Sequence, residues 1–142
     1  AKTQAEAMYA DNENVNVNVT SQLISSYAWD TALNFICQNS EHGYLLATTT
    51  DEEYGNIGTG SSGKTLTGGY QNDKRSNIYD LLGNFYEWTT EYFSTGDYPC
   101  VVRGGYYGGS YGFAAHRGYG SASDSFPGLS FRLQLYIGRS ES

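Results

Sequence analysis

Apolar residues recur at helical spacing once in the first 40 positions. Trp29, Leu33, Ile36 and Cys37 fall at i, i+4, i+7 and i+8, one face of a helix. Ser25 and Ser26 precede them as N-cap candidates, and Asp30 sits early enough to meet the positive helix end. The spacing predicts a helix that stops near Asn39, with Gly43 beyond it. Gln4 to Tyr9 fits a short helix. Val15, Val17 and Val19 alternate with Asn16 and Asn18 at strand period over a brief run.

Residues 48–77 carry no apolar period and read as a long loop, with Tyr54, Leu66 and Tyr70 as its pins to the core. Short strands between turns follow: Phe85 to Thr89, then Val101 to Arg103, then Leu129 to Ile137. In the last, Leu129, Phe131, Leu133, Leu135 and Ile137 alternate with Ser130, Arg132, Gln134 and Tyr136, the best strand pattern in the chain. One good helix and several short strands predict an α+β fold with a small antiparallel sheet. The expected core is Trp29, Leu33, Ile36, Tyr79, Trp88, Phe131, Leu133 and Leu135.

Composition sharpens this picture. The 142 residues suit one domain. Leu, Ile, Val and Phe number 26, a share low enough to hint at disorder in an acidic chain. Fourteen Tyr and two Trp reverse that reading, because they bury large areas while their polar tips stay hydrogen-bonded. The expected product is a folded, soluble, Tyr- and Gly-rich domain. Its net charge is −7, and its eight cations are scattered, which argues against a nucleic-acid partner. No apolar run approaches a membrane span, so no membrane insertion is expected. Ala1 to Ala10 has neither the basic nor the apolar part of a signal peptide. Cys37 and Cys100 could pair, but two half-buried free thiols are the simpler expectation, and no zinc-like spacing exists.

Catalytic candidates are thin. His116, Asp124 and a nearby serine form a trio that a Ser-rich stretch produces by chance. Glu87 and Glu91 could pose as an acid/base pair; Glu87, between Tyr86 and Trp88 on a strand, reads more simply as a structural ion pair. Asp51, Glu52 and Glu53 lack calcium-ligand spacing and read as a solvated charge run. No cofactor, metal or catalytic residue is expected. The unusual segment is 106–129, YYGGSYGFAAHRGYGSASDSFPGL. It contains no Lys, Glu, Gln, Met or Trp, although these make 19 of the 142 residues. Tyr with Ser and Gly is the composition of antibody binding loops. A glycine-rich loop whose tyrosines merely pack would look the same.

The run Asn77-Ile78-Tyr79-Asp80-Leu81-Leu82-Gly83-Asn84-Phe85-Tyr86-Glu87-Trp88-Thr89 resembles the N-x-Y-D-M-x-G-N-V-W-E-W-T element of the formylglycine-generating-enzyme type of C-type lectin fold. Val102-Arg103-Gly104-Gly105 is similar to that family's V-x-R-G-G-S, Ala114-Ala115-His116-Arg117 to its A-x-R, and Ser130-Phe131-Arg132-Leu133 to its closing G-F-R. Tyr27-Ala28-Trp29-Asp30-Thr31-Ala32-Leu33 resembles the x-Q-W-D-T-A-L helix of phage-related members. The family's opening Y-x-I-x-R-Y-E strand is not visible. Its oxidase members carry two cysteines just after Gly-Gly; here Tyr106, Tyr107, Gly108 and Gly109 stand there, which speaks against copper-dependent oxidation.

Within that fold the chain resembles the variable proteins of diversity-generating retroelements. These place a hypervariable stretch between R-G-G and the closing F-R. Adenine-directed mutagenesis of AAY codons cannot yield Lys, Glu, Gln, Met or Trp, the five types missing from 106–129. The resemblance implies a non-catalytic display domain, residues 1–142, on a phage tail tip or bacterial surface, binding a protein ligand or cell-surface receptor. The implied face is Tyr106, Tyr107, Ser110, Tyr111, Phe113, His116, Tyr119, Ser121, Asp124 and Phe126, with Arg117 turned inward as framework. A sulfatase-modifying-factor-like enzyme and a carbohydrate-binding lectin are the alternatives.

Overall fold

A computed structural model describes residues 1–8, 18–58, 63–93, 96–109 and 112–138. The helix expected from the Trp29 stripe is present as Ser26–Asn39 (here α2). Ser25 caps it, its hydroxyl accepting from the Ala28 N–H at 3.1 Å. A shorter helix, Lys2–Ala7 (α1), precedes it near the position expected, and a third, Gly43–Thr48 (α3), was not foreseen. Gly43 is not a cap for α2. It opens α3 against α2 so closely that a methyl group there would lie 2.2 Å from the Ile36 carbonyl oxygen.

The strands are Asn18–Leu23 (β1), Tyr86–Tyr92 (β2), Cys100–Arg103 (β3), Arg117–Gly120 (β4), Leu129–Phe131 (β5) and Leu133–Gly138 (β6). They form two sheets. One has the order β4-β3-β2-β5, and the other is the antiparallel pair β1-β6. The four-stranded sheet is mixed, because β5 runs parallel to β2. This corrects the expected all-antiparallel sheet and the single strand over 129–137. Arg132 breaks that strand: its guanidinium turns to the Glu87 carboxylate and to the carbonyls of Tyr79 and Asp80, at 3.1 and 3.2 Å. The chain therefore leaves one sheet at Phe131 and joins the other at Leu133.

The core lies between α2, α3 and the four-stranded sheet. Trp29, Leu33 and Ile36 pack with Ile24, Leu46, Ile57, Leu81, Leu82 and Ala114. Each such large side chain stabilises the fold by about 1.5–3 kcal/mol. The other expected core positions lie elsewhere. Tyr79, Trp88, Phe131 and Leu133 are half-buried, and Leu135 is 46% exposed. Leu135 sits in a two-stranded sheet too small to bury both faces. Trp88 and Phe131 are register partners on the sheet face opposite Glu87 and Arg103, away from α2.

The long loop is fastened mainly by Asn84. Its side chain accepts from the Thr65 N–H at 2.9 Å, donates to the Thr65 carbonyl at 3.1 Å, and meets the Asn56 amide. Tyr54 packs on the core as expected, whereas the Tyr70 hydroxyl donates to the Glu52 carbonyl within the same loop. Leu66 does not: it is 88% exposed. Gly83, at φ +85°, crosses the Asn56 carbonyl where any side chain would collide.

Candidate ligand-binding face

Two arginines bracket segment 106–129, and both rest on one indole. Arg103 is fully buried, and its guanidinium carbon lies 5.6 Å from the Trp29 ring centroid. Arg132 approaches the same ring at 5.1 Å. The Trp29 indole N–H donates to the Ala114 carbonyl at 2.9 Å, so the helix also holds the segment's midpoint. Ala114 N–H donates in turn to Leu46 at the C-terminal half of α3.

Most of the segment's fastenings are made by its backbone. Tyr107 N–H donates to the Asn84 carbonyl, the Gly109 carbonyl accepts from Gly58 N–H, and β4 pairs with β3 from Cys100↔Gly120 to Arg103↔Arg117. The Gly128 carbonyl accepts from Tyr86 N–H. Among the described residues of the segment, only Arg117 uses its side chain to hydrogen-bond the rest of the protein. Its guanidinium bridges Asp30 at 2.7 Å and Glu91 at 3.2 Å. That matches its expected inward, framework role, though the side chain stays 38% exposed.

The same carboxylates serve Arg103. Burial opposes the charge on Asp30, but hydrogen bonds and attraction from Arg103 and Arg117 outweigh it and hold the carboxyl below its ordinary value. Glu87 differs. Its burial, aided by nearby Asp80 and opposed by Arg132, holds its carboxyl above the ordinary value. Glu87 is thus the structural ion-pair member expected, tied to Arg132 in a two-bond fork.

The aromatic members of the expected face fall into two groups of ring contacts. Strand β4 alternates Arg117 and Tyr119 with Gly118 and Gly120, which sends the two sets to opposite sides of the sheet. Tyr119 is 49% exposed and packs on Phe93, centroids 4.5 Å apart. On the other side Tyr106 meets Tyr86, Tyr107 and Phe126 at 5.3, 5.7 and 5.8 Å. His116 sits between Tyr86 and Phe113. Phe113 is half-buried and packs on the core, so it contributes support as well as surface. Ser121 and Asp124 close a turn: the Asp124 carboxylate accepts from the Ser121 N–H at 2.8 Å. Ser110 and Tyr111 lie outside the described residues.

No family model, curated protein or solved structure matches this chain.

Between Tyr86, Trp88 and the 121–128 turn lies a cleft of about 170 Å³, floored by Gly118 and Gly120 and rimmed by Asp124 and Phe126. Sequence reasoning missed Tyr86 and Trp88 as its walls. The signal was available, since both alternate with Glu87 on one strand and so share the face opposite it. A larger cleft, about 440 Å³, opens beside Asp80, Glu87 and Arg132. Burial and the neighbouring Tyr106 push the Tyr86 phenol above its ordinary value. His116, Asp124 and the serines are not wired as a triad: Asp124 is engaged with Ser121, and His116 Nδ1 has no hydrogen-bond partner among the described residues. Both cysteines are free thiols, half-buried as expected. No cluster of metal-ligating side chains occurs among the described residues.

Proposed function

We propose that this chain is a non-catalytic display domain, a variable protein of the diversity-generating-retroelement kind with a formylglycine-generating-enzyme-type C-type lectin fold. Its partner is a protein ligand or cell-surface receptor, met at a phage tail tip or a bacterial surface. The supporting observation is the way segment 106–129 is held. Its backbone and the framework residues Trp29, Asn84 and Arg103 carry the attachment, while its own side chains, Arg117 apart, make no hydrogen bond to the framework among the described residues. Side chains that do not hold the fold can be exchanged without losing it. The α+β architecture, the R-G-G and F-R anchors around the segment, and its aromatic surface agree with this reading.

The test is a combinatorial library. Codons for Tyr106, Tyr107, Ser110, Tyr111, Tyr119, Ser121, Asp124 and Phe126 are randomised together, and members are scored for cooperative melting. Most should fold, and selection on immobilised proteins should return binders. A library in which most members lose cooperative melting refutes the display reading. Turnover of a sulfatase-derived peptide with added copper would favour the enzyme alternative. A calcium-dependent heat of binding with simple sugars would favour the lectin one.

A further inference from the structure

We propose that the cleft floored by Gly118 and Gly120 receives one cationic side chain, a lysine or arginine, from the partner protein. The inference rests on the display reading for the nature of the partner and adds the chemistry of its anchor.

Size restricts the occupant first. At about 170 Å³ the cleft is well below the roughly 300–1,000 Å³ of small-molecule sites and suits a single side chain. Its walls come next. Tyr86, Trp88 and Phe126 line it, and aromatic faces attract a cation through their quadrupoles. The charge decides the sign. A methyl group on Gly120 would lie 2.8 Å from the Trp88 indole and 3.0 Å from an Asp124 carboxylate oxygen, so ring and carboxylate converge on the same bare backbone. Asp124 has no ion-pair partner among the described residues, and the one hydrogen bond described for its carboxylate comes from the Ser121 N–H. Lys2, beside the adjoining depression that Trp88 and Asp124 also line, is paired with Glu6. A neutral apolar occupant would desolvate the carboxylate without compensation, whereas an ammonium or guanidinium would pair with it. The chain's net charge of −7 favours approach of a basic partner.

The experiment needs no natural partner. The protein has two indoles, Trp29 in the core and Trp88 in the cleft, so their N–H signals report two separate places. Labelled protein is titrated with n-butylammonium, n-butylguanidinium and 1-butanol at matched ionic strength. The cations should shift the Trp88 signal saturably, leave Trp29 still, and bind about fivefold tighter than the alcohol. Asp124→Asn keeps an acceptor for Ser121 N–H and should weaken cation binding by a similar factor. Equal binding of alcohol and cations, an unmoved Trp88 signal, or unchanged cation affinity in a folded Asp124→Asn variant would each overturn the proposal. The parent titration decides even if that variant fails to fold. A failed cleft with a foldable library leaves display standing, and an unfoldable library with a cation-selective cleft does the reverse.

Discussion

Replacing Trp29 by phenylalanine tests the joint on which the candidate face is mounted. The indole is fully buried, and its N–H is the donor to the Ala114 carbonyl. Phenylalanine keeps a ring beside Arg103 and Arg132 but has no donor. Ala114 is itself fully buried, so its carbonyl loses that bond where water cannot readily replace it, at about 1–3 kcal/mol. The smaller ring weakens the two cation contacts by about 0.5–1 kcal/mol and leaves a small void of comparable cost. The expected loss is about 2–5 kcal/mol, no greater than the ~3–5 kcal/mol for truncation to alanine. Urea unfolding followed by far-ultraviolet circular dichroism measures it, with m unchanged if only stability has moved. A Trp29→Phe protein within ~0.5 kcal/mol of the parent would refute the view that this hydrogen bond holds the segment.

The remaining predictions concern the surface and pH. Tyr119→Ala should cost no more than about 0.5–1 kcal/mol, because the ring is half-exposed and packs on Phe93 at the surface; Arg117→Ala should cost about 1–2 kcal/mol through its bonds to Asp30 and Glu91. Thermal melting of the pair in the opposite order would contradict their assignment as surface and framework. Asp30 has a folded-state pKa below its ordinary 3.8, so its stabilisation is fully present above that value and drains away as pH falls through the folded one. The parent's Tm should therefore drop below about pH 4 more steeply than that of Asp30→Asn, and equal slopes would disprove the linkage.

The parts of the fold that local chemistry governs were legible in the sequence. Helix α2 is there because Trp29, Leu33 and Ile36 share a face, and its start follows from the Ser25 cap. Strands β2 and β3 were placed within a few residues for the same reason. The parts that tertiary contacts govern were not. Alternation runs unbroken through Arg132, and only the Glu87 carboxylate across the sheet shows why the strand must break there. Helix α3 is six residues opened by a glycine, too short for a periodic signal, and it exists because α2 offers Gly43 a surface. Leu135 and Ile137 follow strand period yet stay exposed, because pattern says which residues share a face and not whether anything covers it. Of the candidate face, Arg117 was set apart as framework and does reach Asp30 and Glu91, whereas Tyr119 was grouped with Tyr106 and Phe126 although the pleat of β4 turns it to the face opposite Gly118 and Gly120.

The contacts that gather around Trp29 also fix when the face can form. Asp30 meets Arg103 across 73 residues, Trp29 meets Ala114 across 85, and Ser25 meets Gln134 across 109. Contacts so distant along the chain are reached late, after the entropy of closing large loops has been overcome, and such topologies fold slowly. The bracketing pair is complete only when Arg132 has been synthesised and has found Glu87. A growing chain that has exposed α2 and the first strands therefore still lacks the second of the two arginines that flank segment 106–129. Exchanging the segment's aromatic side chains should alter the finished surface while leaving the rate of folding nearly constant, since the closing steps belong to residues outside that set.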